Sequence, residues 1–222
     1  MQTIAEGVIR IPLAPRAMLN AYLIDDRILV DTGMPHQRKR LLRQLRDVDV
    51  ERIVLTHAHV DHAGTVAGVS AEKGAEVLCG AADLADLAAG VSPPIKLGRP
   101  MIPIQRGFVR YRGLRASPLE DGQDVGGGFV AVQTRGHSPG HHSLWRERDG
   151  VLISGDALMG ISTGFRTGVF RPIGALRPDE ESCNRSIQRL AELRPKVIAF
   201  GHGPPLTLDA AHQLSALAQM LR

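Results

Sequence analysis

Thr56-His57-Ala58-His59-Val60-Asp61-His62-Ala63-Gly64 packs three imidazoles and a carboxylate into residues 57–62. The segment follows a short apolar run, Arg52-Ile53-Val54-Leu55, that reads as a buried strand ending at Thr56. Ligand-type side chains therefore sit on one turn just beyond a sheet edge. Imidazole and carboxylate suit zinc, and equally iron or manganese, and no cysteine intervenes. His57 and His59 are two residues apart, so on extended backbone they point the same way. Asp61 and His62, on the bend that follows, can serve a second ion. The stretch thus suggests two adjacent metal sites.

Two ions need more ligands than one turn supplies, and three further candidates follow strand-like runs. His137 comes after residues 129–134, in Arg135-Gly136-His137-Ser138-Pro139-Gly140-His141. Asp156 comes after residues 151–154, in Ser154-Gly155-Asp156-Ala157. His202 comes after residues 197–200, in Gly201-His202-Gly203-Pro204-Pro205. Each is an apolar run, a small residue and then a ligand type. The adjacent glycine lets the backbone turn sharply or approach an ion closely.

In this order, His57, His59, Asp61, His62, His137, Asp156 and His202 resemble the metallo-β-lactamase-fold hydrolase superfamily. Asp31, in Leu29-Val30-Asp31-Thr32-Gly33, is similar to that family's first acidic motif, and the resemblance runs from Asn20 to His202. It implies an α+β fold, a four-layer αββα sandwich. It also implies that His57, His59 and His137 bind one metal, that Asp61, His62 and His202 bind another, and that Asp156 bridges them. Asp31 would steady a ligand loop by hydrogen bonds without touching metal. The implied cofactors are two divalent metal ions, zinc first, with iron or manganese as alternatives.

The chemistry implied is hydrolysis of a small ester, thioester or lactone. A water bridging two cations loses a proton near neutral pH and becomes the nucleophile. Asp61 would orient that water and carry a proton to the leaving group. Two other classes share the resemblance. One is a mononuclear iron oxygenase of the persulfide dioxygenase type, which uses two His and one Asp. The other is a non-catalytic binding protein on the same fold. The full set of seven ligand positions favours the dinuclear hydrolase. Subgroup markers do not settle the substrate. After Asp156 the chain reads Ala157-Leu158-Met159-Gly160, without the Cys-Gly-Arg segment of many glyoxalase II-type thioesterases. Met159 stands where quorum-quenching lactonases place a tyrosine.

The element pattern agrees with the sandwich. Strands are expected at 7–13, at 21–24 and 27–31 joined by a turn at Asp25-Asp26, and at 52–55, 76–79, 129–134, 143–148, 151–154 and 196–200. Helices are expected at 37–46, 63–73, 81–89, 180–193 and 208–221. Strands in two runs with interspersed helices suit sheet against sheet with helices outside. Residues 91–117 and 159–178 are rich in Pro and Gly and are expected to be irregular segments at the mouth of the site. Within them Arg166, Arg171 and Tyr111, with Arg110, are candidate contacts for an anionic group of the substrate.

At 222 residues, with 43% hydrophobic and 23% charged residues, one globular domain spanning 1–222 is expected. Cys79 and Cys183 are too few for a disulfide framework and read as packing residues in a reducing compartment. No basic segment followed by an apolar core opens the chain, and no run approaches the ~20 apolar residues of a membrane span. A cytoplasmic protein with a small-molecule substrate is expected, bound neither to nucleic acid nor to a membrane. His141 is expected to support the site rather than ligate, and His36 and His212 to lie at the surface.

Overall fold

The computed structural model describes residues 1–96 and 114–221, so Tyr111 and Arg110 lie outside the described residues. Apolar residues alternating along each strand fix which face turns inward. Leu23, Leu29, Ile53, Leu55, Val77 and Cys79 pack in one cluster, with Leu41, Val66, Val69 and Leu87 from helices. Their strand neighbours Tyr22, Ile24, Ile28, Val30, Val54 and Leu78 pack in a second cluster, against Phe129, Ala131, Leu144, Val151 and Ile153. Val132, Leu152, Ile198 and Phe200 turn to a third, with Ile187, Leu190, Leu214 and Ala218. Three apolar interfaces require four layers: helices, sheet, sheet, helices. This is the αββα sandwich of the α+β class. Each fully buried aliphatic side chain contributes about 1.5–3 kcal/mol to holding these layers together.

The first sheet contains β1 (Gln2–Ala5), β2 (Val8–Pro12), β3 (Asn20–Ile24), β4 (Ile28–Val30), β5 (Arg52–Leu55), β6 (Glu76–Gly80) and β7 (Ser117–Leu119), side by side in that order. Strands β1 to β4 pair antiparallel, and β4 to β7 pair parallel. The second sheet contains β8 (Asp124–Gly126), β9 (Phe129–Gln133), β10 (His142–Arg146), β11 (Val151–Gly155) and β14 (Val197–Phe200), in the order β14-β11-β10-β9-β8. Helices α1 (Arg38–Gln44), α3 (Val66–Lys73) and α4 (Leu84–Ala89) cover the first sheet. Helices α5 (Glu180–Glu192) and α6 (Ala210–Gln219) cover the second.

The Asp25-Asp26 turn between β3 and β4 forms with both residues at positive φ, 48° and 53°, as the centre of a mirror-image β-turn requires, and Arg27 completes a three-residue loop between the paired Ile24 and Ile28. The expected helix at 63–73 is instead two pieces, the single turn α2 (Val60–Ala63) and then α3. They divide at Gly64, where a Cβ would lie 2.3 Å from the Val60 carbonyl oxygen and 2.5 Å from Pro35. Residues 159–178 also depart from expectation. A two-stranded ribbon, β12 (Met159–Ile161) with β13 (Thr167–Phe170), pairs antiparallel there. Its glycines disguise the strand pattern. Gly160 is needed because a Cβ would lie 2.5 Å from the Phe200 ring.

Candidate metal centre

The candidate ligands gather at one edge of the sandwich because each follows a strand. His57 and His59 extend from β5, and Asp61 and His62 occupy α2 immediately after it. His137 lies in the loop leaving β9, Asp156 follows β11, and His202 follows β14. Strands β9, β11 and β14 run the same way, so their loops emerge at the same end.

Ligand atoms of His57, His59 and His137 lie within 4.8 Å of one another, as do those of Asp61, His62 and His202. His137 Nε2 is 3.1 Å from His57 Nε2 and 2.9 Å from His59 Nδ1. His62 Nε2 is 3.3 Å from His202 Nε2, which is 3.3 Å from Asp61 Oδ2. Asp156 lies between the two sets. Its Oδ2 is 3.4 Å from His137 Nε2 and 3.3 Å from His202 Nε2, and its Oδ1 is 3.4 Å from His62 Nε2.

Hydrogen bonds on the far side of each ring decide what faces inward. Asp31 is buried and accepts the Thr56 hydroxyl at 2.8 Å. With its only proton so engaged, Thr56 Oγ1 must accept from His57 Nδ1–H at 3.0 Å, which leaves His57 Nε2 a bare lone pair. His62 Nδ1–H donates to Asp31 Oδ2 at 2.8 Å, His137 Nδ1–H to the Leu176 carbonyl at 2.9 Å, and His202 Nδ1–H to the Met18 carbonyl. The Nε2 atoms of His57 and His137 therefore point inward as bare lone pairs, and those of His62 and His202 point at the Asp61 and Asp156 carboxylates. Two bare nitrogens about 3 Å apart repel unless a cation or proton lies between them. Asp156 Oδ1 and His59 Nε2 are, in addition, buried without a hydrogen-bond partner among the described residues. This donor set fits divalent cations with imidazole and carboxylate affinity.

Electrostatics distinguish the two sets. Burial, followed by the neighbouring rings, pushes His57 well below the ordinary imidazole range and His137 down to about 3. Burial also lowers His59, and it lowers His141 well below its usual value. In the second set burial also opposes charge, but Asp156 and Asp61 outweigh it and lift His202 to about 10. His62 is raised in the same way by Asp156, Asp31 and Asp61. Burial would raise the Asp61 and Asp156 carboxyls, yet His62 and His202 hold both below the usual carboxylate range. The first set is thus three neutral rings, and the second is rich in negative charge that a cation or protons must balance.

A pH dependence follows for metal-free protein. His57, His59, His137 and His141 have lowered values, so the stability they allow is present above pH 6.5 and is lost as pH falls, toward about 3 for His137. His62 and His202 have raised values, so their stabilisation is full below pH 6.5 and is lost as pH rises, toward about 10 for His202. The Tm of chelator-treated protein should therefore peak near pH 6.5 and decline on both sides. A Tm that holds level from pH 5 to 9 in differential scanning fluorimetry would contradict this charge assignment.

Three groups away from the inward face set the ligand loops. Asp31, at φ 61°, accepts the Thr56 N–H at 2.8 Å as well as the groups already named, so one carboxylate orients a ligand of each set. His141 accepts the Asp156 N–H at Nε2, 3.0 Å away, and Thr134 sits on its Nδ1 at 2.8 Å. Asp83 gave no signal in the sequence beyond an acid after a strand. It is fully buried and accepts three hydrogen bonds: Ala58 N–H at 3.1 Å, Ser138 Oγ–H at 2.7 Å and Gly140 N–H at 2.6 Å. It therefore ties the loop of His57 and His59 to the loop of His137. The His202 loop is held from β3, where Asn20 Nδ2 donates to the Phe200 and Gly203 carbonyls (3.1 and 2.9 Å) and Tyr22 Oη to Phe200 (2.7 Å). Gly201 has no room for a side chain, since a Cβ would lie 2.3 Å from Asp156 Oδ1.

The sequence profile of the metallo-beta-lactamase superfamily matches residues 15–202 of this chain. The chain belongs to that superfamily. Its relatives there include the uncharacterized protein YobT of Bacillus subtilis, 29% identical over 195 residues covering 83% of each chain. The probable metallo-hydrolase YflN of the same organism is 25% identical over 202 residues, covering 81% of this chain and 76% of YflN. Among solved members, the metallo-beta-lactamase family protein TTHA1429 of Thermus thermophilus superposes with a TM-score of 0.71 at 25% identity, covering 98% of this chain and 80% of that one. TTHA1623, solved in a di-iron-bound form, is 28% identical with a TM-score of 0.63, covering 93% and 98%.

In this superfamily member the two sets form the floor of a cavity of about 630 Å³, lined by His59, Asp61, His137, Asp156 and His202 and by largely apolar walls. Arg171 is in the wall, and its Nη2 donates to Glu180 Oε1 at 2.7 Å. Arg166 is not: it is exposed on the turn joining β12 to β13 and is not among the lining residues. That removes it as a contact inside this cavity. Cys79 and Cys183 are buried free thiols, and burial pushes Cys183 up to about 11. Among the described residues no helix is long and apolar enough to cross a membrane.

Proposed function

We propose that the chain is a dinuclear metal-dependent hydrolase of a small ester, thioester or lactone. The observation that carries this reading is the Asp156 carboxylate, with oxygens within 3.4 Å of ring nitrogens from both histidine sets. His57, His59 and His137 would hold one divalent ion, Asp61, His62 and His202 the other, and Asp156 would bridge them. When bound, such a pair acts as a Lewis acid toward a carbonyl oxygen and brings water ionisation close to neutral pH. Zinc suits this ligand set, and the di-iron form of TTHA1623 supports iron as the alternative. With the Asp156 oxygen, the first ion would have four donors from the chain, so water or substrate would enter as a fifth ligand.

Asp61 is the carboxylate of the second set that reaches the cavity while partly exposed, and His62 and His202 keep it ionised. It is placed to take a proton from water and pass it to a leaving group at the cavity floor. Asp61→Asn should therefore cut turnover far more than it cuts metal in the first set. Equal losses of the two would leave Asp61 a ligand and nothing more. The reading as a whole is tested by elemental analysis together with assays on thioesters, esters and lactones. About two ions per chain and chelator-sensitive hydrolysis are expected. One iron per chain with oxygen uptake on a persulfide would replace the hydrolase with a mononuclear dioxygenase.

A further inference from the structure

We infer that the cavity takes an amphipathic acyl substrate, with an apolar body packed on the β12–β13 ribbon and an anionic far end held at Arg171. This rests on the hydrolase reading and narrows its substrate. Among the described residues, the charged groups that line the cavity are the candidate ligands on its floor and Arg171 in its wall. The remaining wall is dominated by Ile95, Ile161, Phe170, Ile173, Leu176 and Leu217. A sugar or phosphodiester body would lose its water against these side chains with few hydroxyls, those of Ser92, Ser162 and Thr163, to replace it, which is costly. An alkyl or aryl body would gain about 0.8 kcal/mol for each methylene buried. The volume is within the usual range for a small-molecule site, well beyond what an acetyl group fills.

Arg171 gives the opposite end its chemistry. Its guanidinium shares Glu180 Oε1 with Arg177, while Lys96 lies 3.5 Å from Glu180 Oε2. Among the described residues, three cations thus face one carboxylate, an excess of positive charge. Arg171 Nε is buried and has no hydrogen-bond partner among the described residues. A carboxylate or phosphate on the substrate would supply both the missing acceptor and the missing charge. The scissile carbonyl would then lie at the Asp156 end of the cavity and the anion at the Arg171 end. The apolar body would span the distance between them.

The test uses the metal-loaded protein and two readouts. Calorimetry with acetate, octanoate and suberate reads the cavity without turnover. The kcat/KM for acetyl, butyryl and octanoyl esters and for the suberyl half-ester reads it during catalysis. Octanoate should bind at least tenfold more tightly than acetate, and kcat/KM should rise about fourfold per methylene over the shorter chains. Suberate should exceed octanoate about tenfold, and Arg171→Met should bring that ratio close to one, with Arg171→Lys intermediate. Equal binding of acetate and octanoate would overturn the apolar assignment even if every ester is hydrolysed. A suberate-to-octanoate ratio unchanged in Arg171→Met would overturn the anionic end. Tight, chain-length-dependent binding with no turnover of any ester would instead overturn the hydrolase reading and leave the cavity assignment standing.

Discussion

Asp156→Ala is expected to remove both ions and abolish turnover, and no other single substitution of a candidate ligand should empty both sets. His137, His62 and His202 each lie within 3.4 Å of this one carboxylate. A ligand such as His59 contacts the first set alone. The loss of metal affinity should exceed the ~10–100-fold that removal of an outer hydrogen-bonding partner costs. Because Asp156 is also the carboxylate that contributes most to sustaining charge on His202, its removal should let that ring fall from about 10 toward the ordinary imidazole value. Two measurements check this: metal content after gel filtration, and the titration of His202 by NMR in the metal-free variant. A variant that keeps two ions per chain and normal turnover would eliminate Asp156 as a bridge.

Asp83→Ala should be the most damaging change away from the inward face of the site. It leaves the Ala58 and Gly140 N–H groups and the Ser138 hydroxyl buried without an acceptor. Each unsatisfied donor costs about 1–3 kcal/mol, so roughly 3–5 kcal/mol is a fair expectation if the cavity partly collapses or admits water. For a chain of this size, that lowers Tm by about 6–20 °C. Loss of stability alone would mark Asp83 as structural. Its position makes a sharper expectation: Ala58 separates His57 from His59, and Ser138 is next to His137. First-set metal should therefore be lost at concentrations that still fill the second set. Asp83→Asn, which keeps one acceptor oxygen, should be intermediate in both respects. Unchanged Tm and unchanged occupancy would refute the clamp.

The structure clarifies why some of this was legible in the sequence and some was not. The candidate ligand turn is legible because it is local: His57, His59, Asp61 and His62 fall within residues 57–62, and the fold brings their ligand-type atoms together with those of His137, Asp156 and His202. The central strands were legible because burial on both faces, as at β5 or β11, forces runs of apolar residues. The edges were not. Strand β1 is exposed or half-buried throughout, β7 contains Pro118, and β12 and β13 are interrupted by Gly160 and Gly168, so none shows a clean alternation. Asp83 was invisible for a different reason. Two of its three partners are backbone N–H groups, which any residue but proline provides, and they lie 25 and 57 positions away. For Arg166 and Arg171 the sequence placed both near the mouth. Only the ribbon geometry separates a guanidinium in the cavity wall from one in solvent.

Each histidine set draws its members from both sheets, which constrains how the chain matures. The rings of His57 and His137 meet although 80 positions apart, and those of His62 and His202 although 140 apart. On the proposed dinuclear reading, before the two sheets dock the earlier part of the chain would offer only a pair of ligands toward each ion, too few to hold it tightly. Tight capture must therefore come late, after the long loops have closed and their entropy has been lost. An ion that stayed bound would then be a record of correct docking.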